Sequence, residues 1–294
     1  MKPKIKNSSL KCIVCGKNMN HKDIQCKGYS RAINLQFTKC KCGHITQNPI
    51  PQDVFLRNFY GSKEFLIKTN SKILGFSNYF SEEKNKKLTA GLRKNLISNK
   101  FRNIFKNKVV FKFGCGTGYF LYLLKNISSK AFGCDYSPLR DYGVRKYNVN
   151  IIKKNFYDIK LKKIDIFIFF NVFENINNLN KFFDKLNYAL KKDGFIIFNS
   201  FDMNSLLAKI LGRHYTVFRP PISHLFTKNN LKKFLKKKSY TVVSTIPDIR
   251  YFSLSKILSL FNIKFIGNFL IKYNIDPTFK INLFVSKIYI CKRI

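Results

Sequence analysis

From residue 108 onward, short apolar runs alternate with helical segments, and this alternation restricts the architecture more than any other feature of the chain. Residues 109–113, 131–135, 149–152, 164–170, 195–199, 240–245 and 284–291 read as strands. Residues 119–125, 138–147, 179–190 and 228–238 read as the helices between them. Strands joined through helices pair in parallel, and helices on both faces bury both sides of the sheet. That is why Ile164 to Phe170 is almost continuously apolar. Lys191-Lys192-Asp193-Gly194 reads as the turn ending the third helix. With 294 residues the chain holds one such α/β core and a small accessory unit.

Between the first strand and first helix of this pattern stands Gly114-Cys115-Gly116-Thr117-Gly118. Glycines there let backbone approach a ligand closely, next to free N–H groups at a helix start. The following strand ends Gly133-Cys134-Asp135, so a carboxylate reaches the adjacent strand edge, where it can accept both hydroxyls of a ribose. A nicotinamide fingerprint wants Gly or Ala at position 119, where this chain has Tyr119. A phosphate loop wants Gly-Lys-Ser/Thr, which is missing. The ligand read from these residues is nucleoside-like.

The motifs resemble class I S-adenosylmethionine-dependent methyltransferases. Val110 to Phe120 is similar to that family's first motif, and Gly133-Cys134-Asp135-Tyr136-Ser137-Pro138 to its second. Phe169 to Ile176 resembles the segment after the fourth strand, and Leu190 to Ile197 the turn into the fifth. Pro221-Ile222-Ser223-His224-Leu225-Phe226-Thr227 resembles a stretch in members that carry an N-terminal zinc ribbon and serve sugar or glycan pathways. The resemblance implies a Rossmann-like, doubly wound, mostly parallel seven-stranded sheet with S-adenosylmethionine as cofactor. It places Gly114, Cys115, Gly116, Thr117, Gly118, Asp135, Tyr136, Asn155, Phe156 and Asn171 against that cofactor. Three positions depart from the pattern. Lys112 stands where an acidic residue engages the methionine ammonium, and avoids repelling it only if its stem carries the charge into solvent. Asn155 replaces an acceptor for the adenine amino group, and Asn175 replaces a histidine after Glu174. The implied reaction is in-line displacement at a sulfonium methyl, with His224 and then Glu174 as candidate bases. His214 and Tyr215 are candidates for the acceptor pocket.

Five of the eight cysteines lie within the first 42 residues. Cys12-Ile13-Val14-Cys15-Gly16 has the spacing and trailing glycine of a zinc knuckle, and Cys40-Lys41-Cys42-Gly43 is its partner, one residue short. The expected structural Zn2+ ligands are Cys12, Cys15, Cys40 and Cys42, with His44, Cys26 or His21 able to replace one. Cys115, Cys134 and Cys291 read as buried apolar residues. The expected division is a zinc-ribbon-like module at 1–48, a helical lead-in at 49–104, with Leu88, Leu92 and Leu96 on its inner face, and a methyltransferase domain at 105–294.

The formal charge of +40 comes from lysines scattered along the whole chain together with many Asn, Ile, Phe and Tyr, the bias of an A+T-rich coding sequence. A polyanion partner is the competing explanation. The first ten residues lack an apolar leader, and no run is long enough to span a bilayer, so the expectation is a cytoplasmic protein. Residues 251–280 mix apolar and basic positions, and suit a packing face, a lid insertion or a peripheral membrane contact. The leading reading is methyl transfer to a small-molecule or glycan-precursor acceptor. The alternatives are nucleic-acid methylation and a catalytically degenerate binding or scaffold protein.

Overall fold

The computed structural model describes residues 11–19, 23–27, 34–62, 80–260, 264–273 and 275–294. In chain order the elements are β1 (Asp23–Lys27), β2 (Asn34–Lys39), β3 (Ile45–Gln47), α1 (Asp53–Gly61), α2 (Glu83–Lys100), β4 (Val109–Phe113), α3 (Tyr119–Tyr122) and β5 (Lys130–Cys134). They continue as α4 (Leu139–Tyr147), β6 (Asn150–Ile152), β7 (Ile164–Phe169), α5 (Leu179–Ala189), β8 (Leu190–Phe201), α6 (Leu206–Leu211), β9 (His224–Leu225) and α7 (Lys228–Lys237). The chain closes with β10 (Tyr240–Pro247), β11 (Arg250–Ser253), α8 (Leu254–Leu260), α9 (Lys264–Lys272), β12 (Thr278–Ile281) and β13 (Ser286–Arg293).

The central sheet has seven strands in the order β10-β13-β8-β7-β4-β5-β6, parallel except where β13 runs antiparallel to β8 and β10. From β4 the chain winds outward to β5 and β6, then returns to β7 on the other side. The switch between β4 and β7 opens a crevice at the carboxyl ends of the strands, where ligands bind in open α/β sheets. Side chains alternate across the sheet. Phe111, Phe167, Phe169 and Phe198 meet Phe182, Phe183 and Leu186 of α5 on one face, while Val110, Ile166, Ile168 and Ile197 meet Ile97 of α2, Phe120 and Leu124 on the other. Phe169 stacks on Phe198 at 4.8 Å. Cys115, Cys134 and Cys291 are buried among these apolar layers.

Two details differ from the sequence reading. Lys191 to Gly194 lies inside β8 as a bulge, since Ile164 pairs with Leu190 and Ile166 already pairs with Phe195. The inner face of α2 is Asn85, Thr89, Arg93 and Ile97, whereas Leu88 is exposed. Leu96 packs partly buried against the core, and Leu88 is left outside because this helix also packs against the insertion between β10 and β13 and meets it with polar groups. Thr89 accepts from the Tyr251 amide at 3.0 Å, and Asn85 accepts from the Thr278 hydroxyl at 2.9 Å. Arg93 grips Asp248 through two bonds of 2.8 and 3.0 Å.

β9 joins the N-terminal sheet, whose order is β1-β2-β3-β9, through the pairs Ile45–Leu225 and Thr46–His224. Leu35, Phe37 and Ile45 pack with Phe218, Ile222 and Leu225 in a shared apolar cluster. The cysteine-bearing segment is therefore continuous with the rest of the fold. In α9, Phe265, Ile266, Phe269 and Ile271 are exposed rather than packed. Phe261, in the same apolar and basic segment, lies outside the described residues. Among the described residues, no helix is long and apolar enough to cross a membrane.

Candidate active site

The glycine loop leaves β4 with Gly114, Gly116 and Gly118 at φ of 68°, 56° and 74°. This left-handed backbone is open to glycine at little cost. The amides of Gly114 and Cys115 donate to the Cys134 carbonyl at 3.0 and 3.3 Å, which hangs the loop on the end of β5. The Gly116 amide donates to Asp135 Oδ2 at 2.6 Å, and the Ser137 amide to Asp135 Oδ1 at 2.7 Å. Each carboxylate oxygen accepts one amide and keeps a second lone pair, so the ribose diol expected from the sequence fits this carboxylate. Burial pushes the Asp135 carboxyl upward, and the Ser137 side chain, the two amides and Lys112 oppose it.

Gly143 of α4 was not singled out from sequence, yet it sets how closely that helix meets the loop. A Cβ at Gly143 would lie 2.0 Å from the Thr117 carbonyl oxygen. Both sides of that contact are backbone, so neither can rotate away. Gly143→Ala is expected to destabilise the fold by about 1–3 kcal/mol and to weaken nucleoside binding by displacing the loop. A calorimetric titration alongside a melting curve checks this, and unchanged values in both would show that the contact is not needed.

Lys112 does not reach solvent. It is buried, and its Nζ folds back to donate to the Gly114 carbonyl at 2.5 Å, while the Cys115 thiol donates to the Lys112 carbonyl at 3.1 Å. Burial pulls the Lys112 ammonium down from its ordinary value and pushes the Cys115 thiol up to about 12. A lysine held this way braces the loop. The Cys115 side chain likewise faces inward, so its thiol serves the loop.

The family model described as a methyltransferase domain matches residues 83–245, more than half of the chain. The chain belongs to the methyltransferase family. It is a class I S-adenosylmethionine-dependent enzyme. No curated protein matches the chain. Among solved structures it is similar to a SAM-dependent methyltransferase from Thermotoga maritima, at 16% identity, with 73% of this chain and 95% of that one covered and a TM-score of 0.47. It is also similar to magnesium protoporphyrin IX methyltransferase from Synechocystis with bound SAH, at 14% identity, 81% and 93% coverage and a TM-score of 0.43. A third is a SAM-dependent methyltransferase from Aquifex aeolicus, at 13% identity, 72% and 98% coverage and a TM-score of 0.45.

Beyond the loop, the methyltransferase places its other expected cofactor residues unevenly. Tyr136 follows Asp135 and meets Tyr60 of α1 edge to face at 6.5 Å. Asn171 is at the switch point, where its amide N–H and side-chain oxygen both bond Asn199, at 2.7 and 3.0 Å. Asn155 accepts the Tyr157 amide at 3.1 Å, leaving one lone pair on that oxygen for an adenine amino group. Phe156 is a correction. It is buried in the core between Phe113 and Phe182, with centroids at 4.7 and 5.3 Å, because the turn after β6 points it under the sheet.

The two candidate bases separate clearly. Glu174 is buried, with Oε1 accepting the Phe201 amide at 2.9 Å; burial pushes its carboxyl up, opposed by that amide and by Arg219. The neighbouring Asn175 donates to the Tyr60 hydroxyl at 2.7 Å. His224 is a second correction. Its ring lies 3.1 Å from the Thr46 hydroxyl through Nδ1 and 3.1 Å from the Asn177 carbonyl through Nε2. The Thr46 hydroxyl donates its one proton to the Ser223 carbonyl at 2.9 Å, so its oxygen lies beside Nδ1 while Nε2 faces the Asn177 carbonyl. Burial brings its pKa down to about 4, so it is a neutral, buried strut between β9 and β3. His214 is exposed and bonds only Arg213 among the described residues; Tyr215 is buried near Glu174 and Arg219.

The sulfur atoms of Cys12, Cys15, Cys40 and Cys42 all lie within 4.8 Å of one another. Cys12 and Cys42 are 3.6 Å apart, and Cys15 and Cys40 3.5 Å. A tetrahedron of Zn–S bonds of about 2.3 Å has edges of about 3.8 Å, so the donor set fits zinc. Burial pushes the Cys12 and Cys42 thiols up; for Cys15 burial is outweighed by the Lys17 amide and the neighbouring thiols, which bring it to about 7. His44 stands beside the cluster, 3.5 Å from the Cys12 sulfur, and stacks on His224 at 5.4 Å. His21 lies outside the described residues, as does the side chain of Cys26.

Proposed function

We propose that this methyltransferase alkylates a small-molecule or glycan-precursor acceptor, and that Cys12, Cys15, Cys40 and Cys42 hold a structural zinc ion. The observation that carries the first part is Phe173. In the segment after β7, Asn171-Val172-Phe173-Glu174, this aromatic is fully buried between Phe198 and Phe226, with centroids at 4.7 and 5.4 Å. Its ring is committed to the core and is not available to stack on an extruded base, as nucleic-acid enzymes of this chemistry require. Tyr60 and Asn175 close over the same region from α1 and the β7 edge, which suits a compact acceptor.

S-adenosylmethionine supplies an electrophilic methyl group when bound. Asp135 and the glycine loop would hold its ribose end and fix its position at the switch between β4 and β7. Glu174 would take the acceptor proton, since a buried carboxyl with a raised pKa is a stronger base than an exposed one. His224 would keep the N-terminal sheet in place.

Calorimetry with S-adenosylhomocysteine tests the cofactor site. Asp135→Ala removes two charge-assisted bonds that shape the loop as well as the ribose acceptor, and is expected to weaken binding about 100-fold. Equal affinities would rule Asp135 out. Label transfer from methyl-tritiated cofactor into fractionated cell extract then separates acceptor classes. Label in the low-molecular-weight fraction supports the reading, and label confined to nucleic acid overturns it.

A further inference from the structure

Four cations are gathered at the carboxyl edge of the sheet: Arg93, Lys112, Arg219 and Arg250. Arg93 and Arg250 both bond the single carboxylate of Asp248, at 2.8 and 2.7 Å at the closest. Lys112 bonds a carbonyl. Arg219 has neither: its Nε is buried with no hydrogen-bond partner, and no ion pair is formed to it among the described residues. The groups near enough to interact with it electrostatically include Tyr60, Arg250, Glu174, Tyr215 and Lys256. Tyr215 carries a second buried orphan, its hydroxyl. Glu174 forms no ion pair with it among the described residues, and one of its oxygens is committed to the Phe201 amide.

The location points toward the acceptor. Asp135 precedes Tyr136, Tyr136 packs against Tyr60, and Tyr60 is within reach of Arg219. Arg219 thus lies beyond the cofactor loop, on the side closed by α1 and by Glu174. A guanidinium offers a planar fork of donors that matches two oxygens of a carboxylate or phosphate, and the Tyr215 hydroxyl, near enough to interact with it electrostatically, adds a third donor.

We propose that Arg219 and Tyr215 form an oxyanion subsite, so that the methyl acceptor of this enzyme carries a carboxylate or phosphate group. The inference rests on the methyltransferase reading of the adjoining cofactor loop. The bound anion supplies the counter-charge that Arg219 lacks within the protein, and its placement orients the nucleophile toward the cofactor.

The test uses the full chain saturated with S-adenosylhomocysteine, titrated calorimetrically with inorganic phosphate in one arm and acetate in the other. One equivalent of at least one anion binds, about tenfold or more weaker in Arg219→Gln and measurably weaker in Tyr215→Phe. Arg219→Lys recovers part of the loss, and Arg213→Gln, an exposed control, leaves binding unchanged. The arm that binds identifies the group. S-adenosylhomocysteine affinity stays within threefold in all variants. The inference is overturned if neither anion binds, if Arg213→Gln is as damaging as Arg219→Gln, or if Arg219→Gln loses S-adenosylhomocysteine instead, which would assign the guanidinium to the cofactor's own carboxylate. Failure of the parent chain to bind S-adenosylhomocysteine would sink the cofactor reading itself.

Discussion

Purified under metal-replete conditions, the chain carries one zinc per molecule, and its removal by a strong chelator lowers the melting temperature by about 10 °C or more. The four sulfurs are already spaced for one ion, with pairs at 3.5 and 3.6 Å, and Cys12 and Cys40 are buried in the main apolar cluster with Val14 and Met19. Without a metal these buried thiols exchange strong coordination for weak S–H contacts. The segment has little other core, because its second apolar contact is borrowed from Phe218, Ile222 and Leu225. Cys12→Ser is expected to act like chelation. Hydrogen exchange should show protection lost from residues 34–47 and from residues 224–226. A metal assay reading zero, together with an unshifted melting curve after chelation, would show that the cysteines act without zinc.

Asp248→Asn is expected to destabilise the fold by about 3–5 kcal/mol, because it leaves Arg93 and Arg250 charged without a counterion. The carboxylate is the hub of a buried network: besides the two guanidiniums, Asn199 donates to it at 3.0 Å and Ser286 at 3.0 Å. Burial pushes the Asp248 carboxyl up, but Arg250 and Arg93 outweigh it and hold it well below the usual carboxylate range. A depressed acid pKa stabilises the folded state above the unfolded pKa of about 3.9, and that stability is lost as pH falls toward the folded value. The gap between parent and variant is therefore full from about pH 5 to 8 and narrows below about pH 4. Denaturant midpoints at several pH values check this, and a gap under about 1 kcal/mol at pH 7 would show that the network is dispensable.

The α/β alternation was legible because period and turn chemistry are local, and the strand and helix boundaries fall within a few residues of the expected ones. The glycine loop and Asp135 were legible for the same reason: their meaning lies in a short window between strand and helix. What the sequence hid depends on partners far along the chain. Arg93 carries no local signal, because the partner that turns it inward, Asp248, is 155 positions away. His224 looked like a base because its partners, Thr46 and Asn177, are 178 and 47 positions distant. Phe156 was read as a ligand contact through family position, whereas its packing under the sheet depends on Phe113 and Phe182. Gly143 has no motif of its own, and only the Thr117 backbone beside it gives the glycine a reason.

The pairing of β3 with β9 also sets an order of events during synthesis. Ile45 leaves the ribosome roughly 180 residues before its partner Leu225. At roughly 5–20 residues per second this leaves the β3 edge uncovered for about ten seconds or longer. An open strand edge in a nascent chain is a template for wrong pairing, with neighbouring copies or with later segments of the same chain. Early metal capture by the cysteines would hold β2 and β3 in register through that interval, so the ion would act as a folding clamp before it becomes part of the finished protein. Expression under zinc limitation is where such a chain would first aggregate.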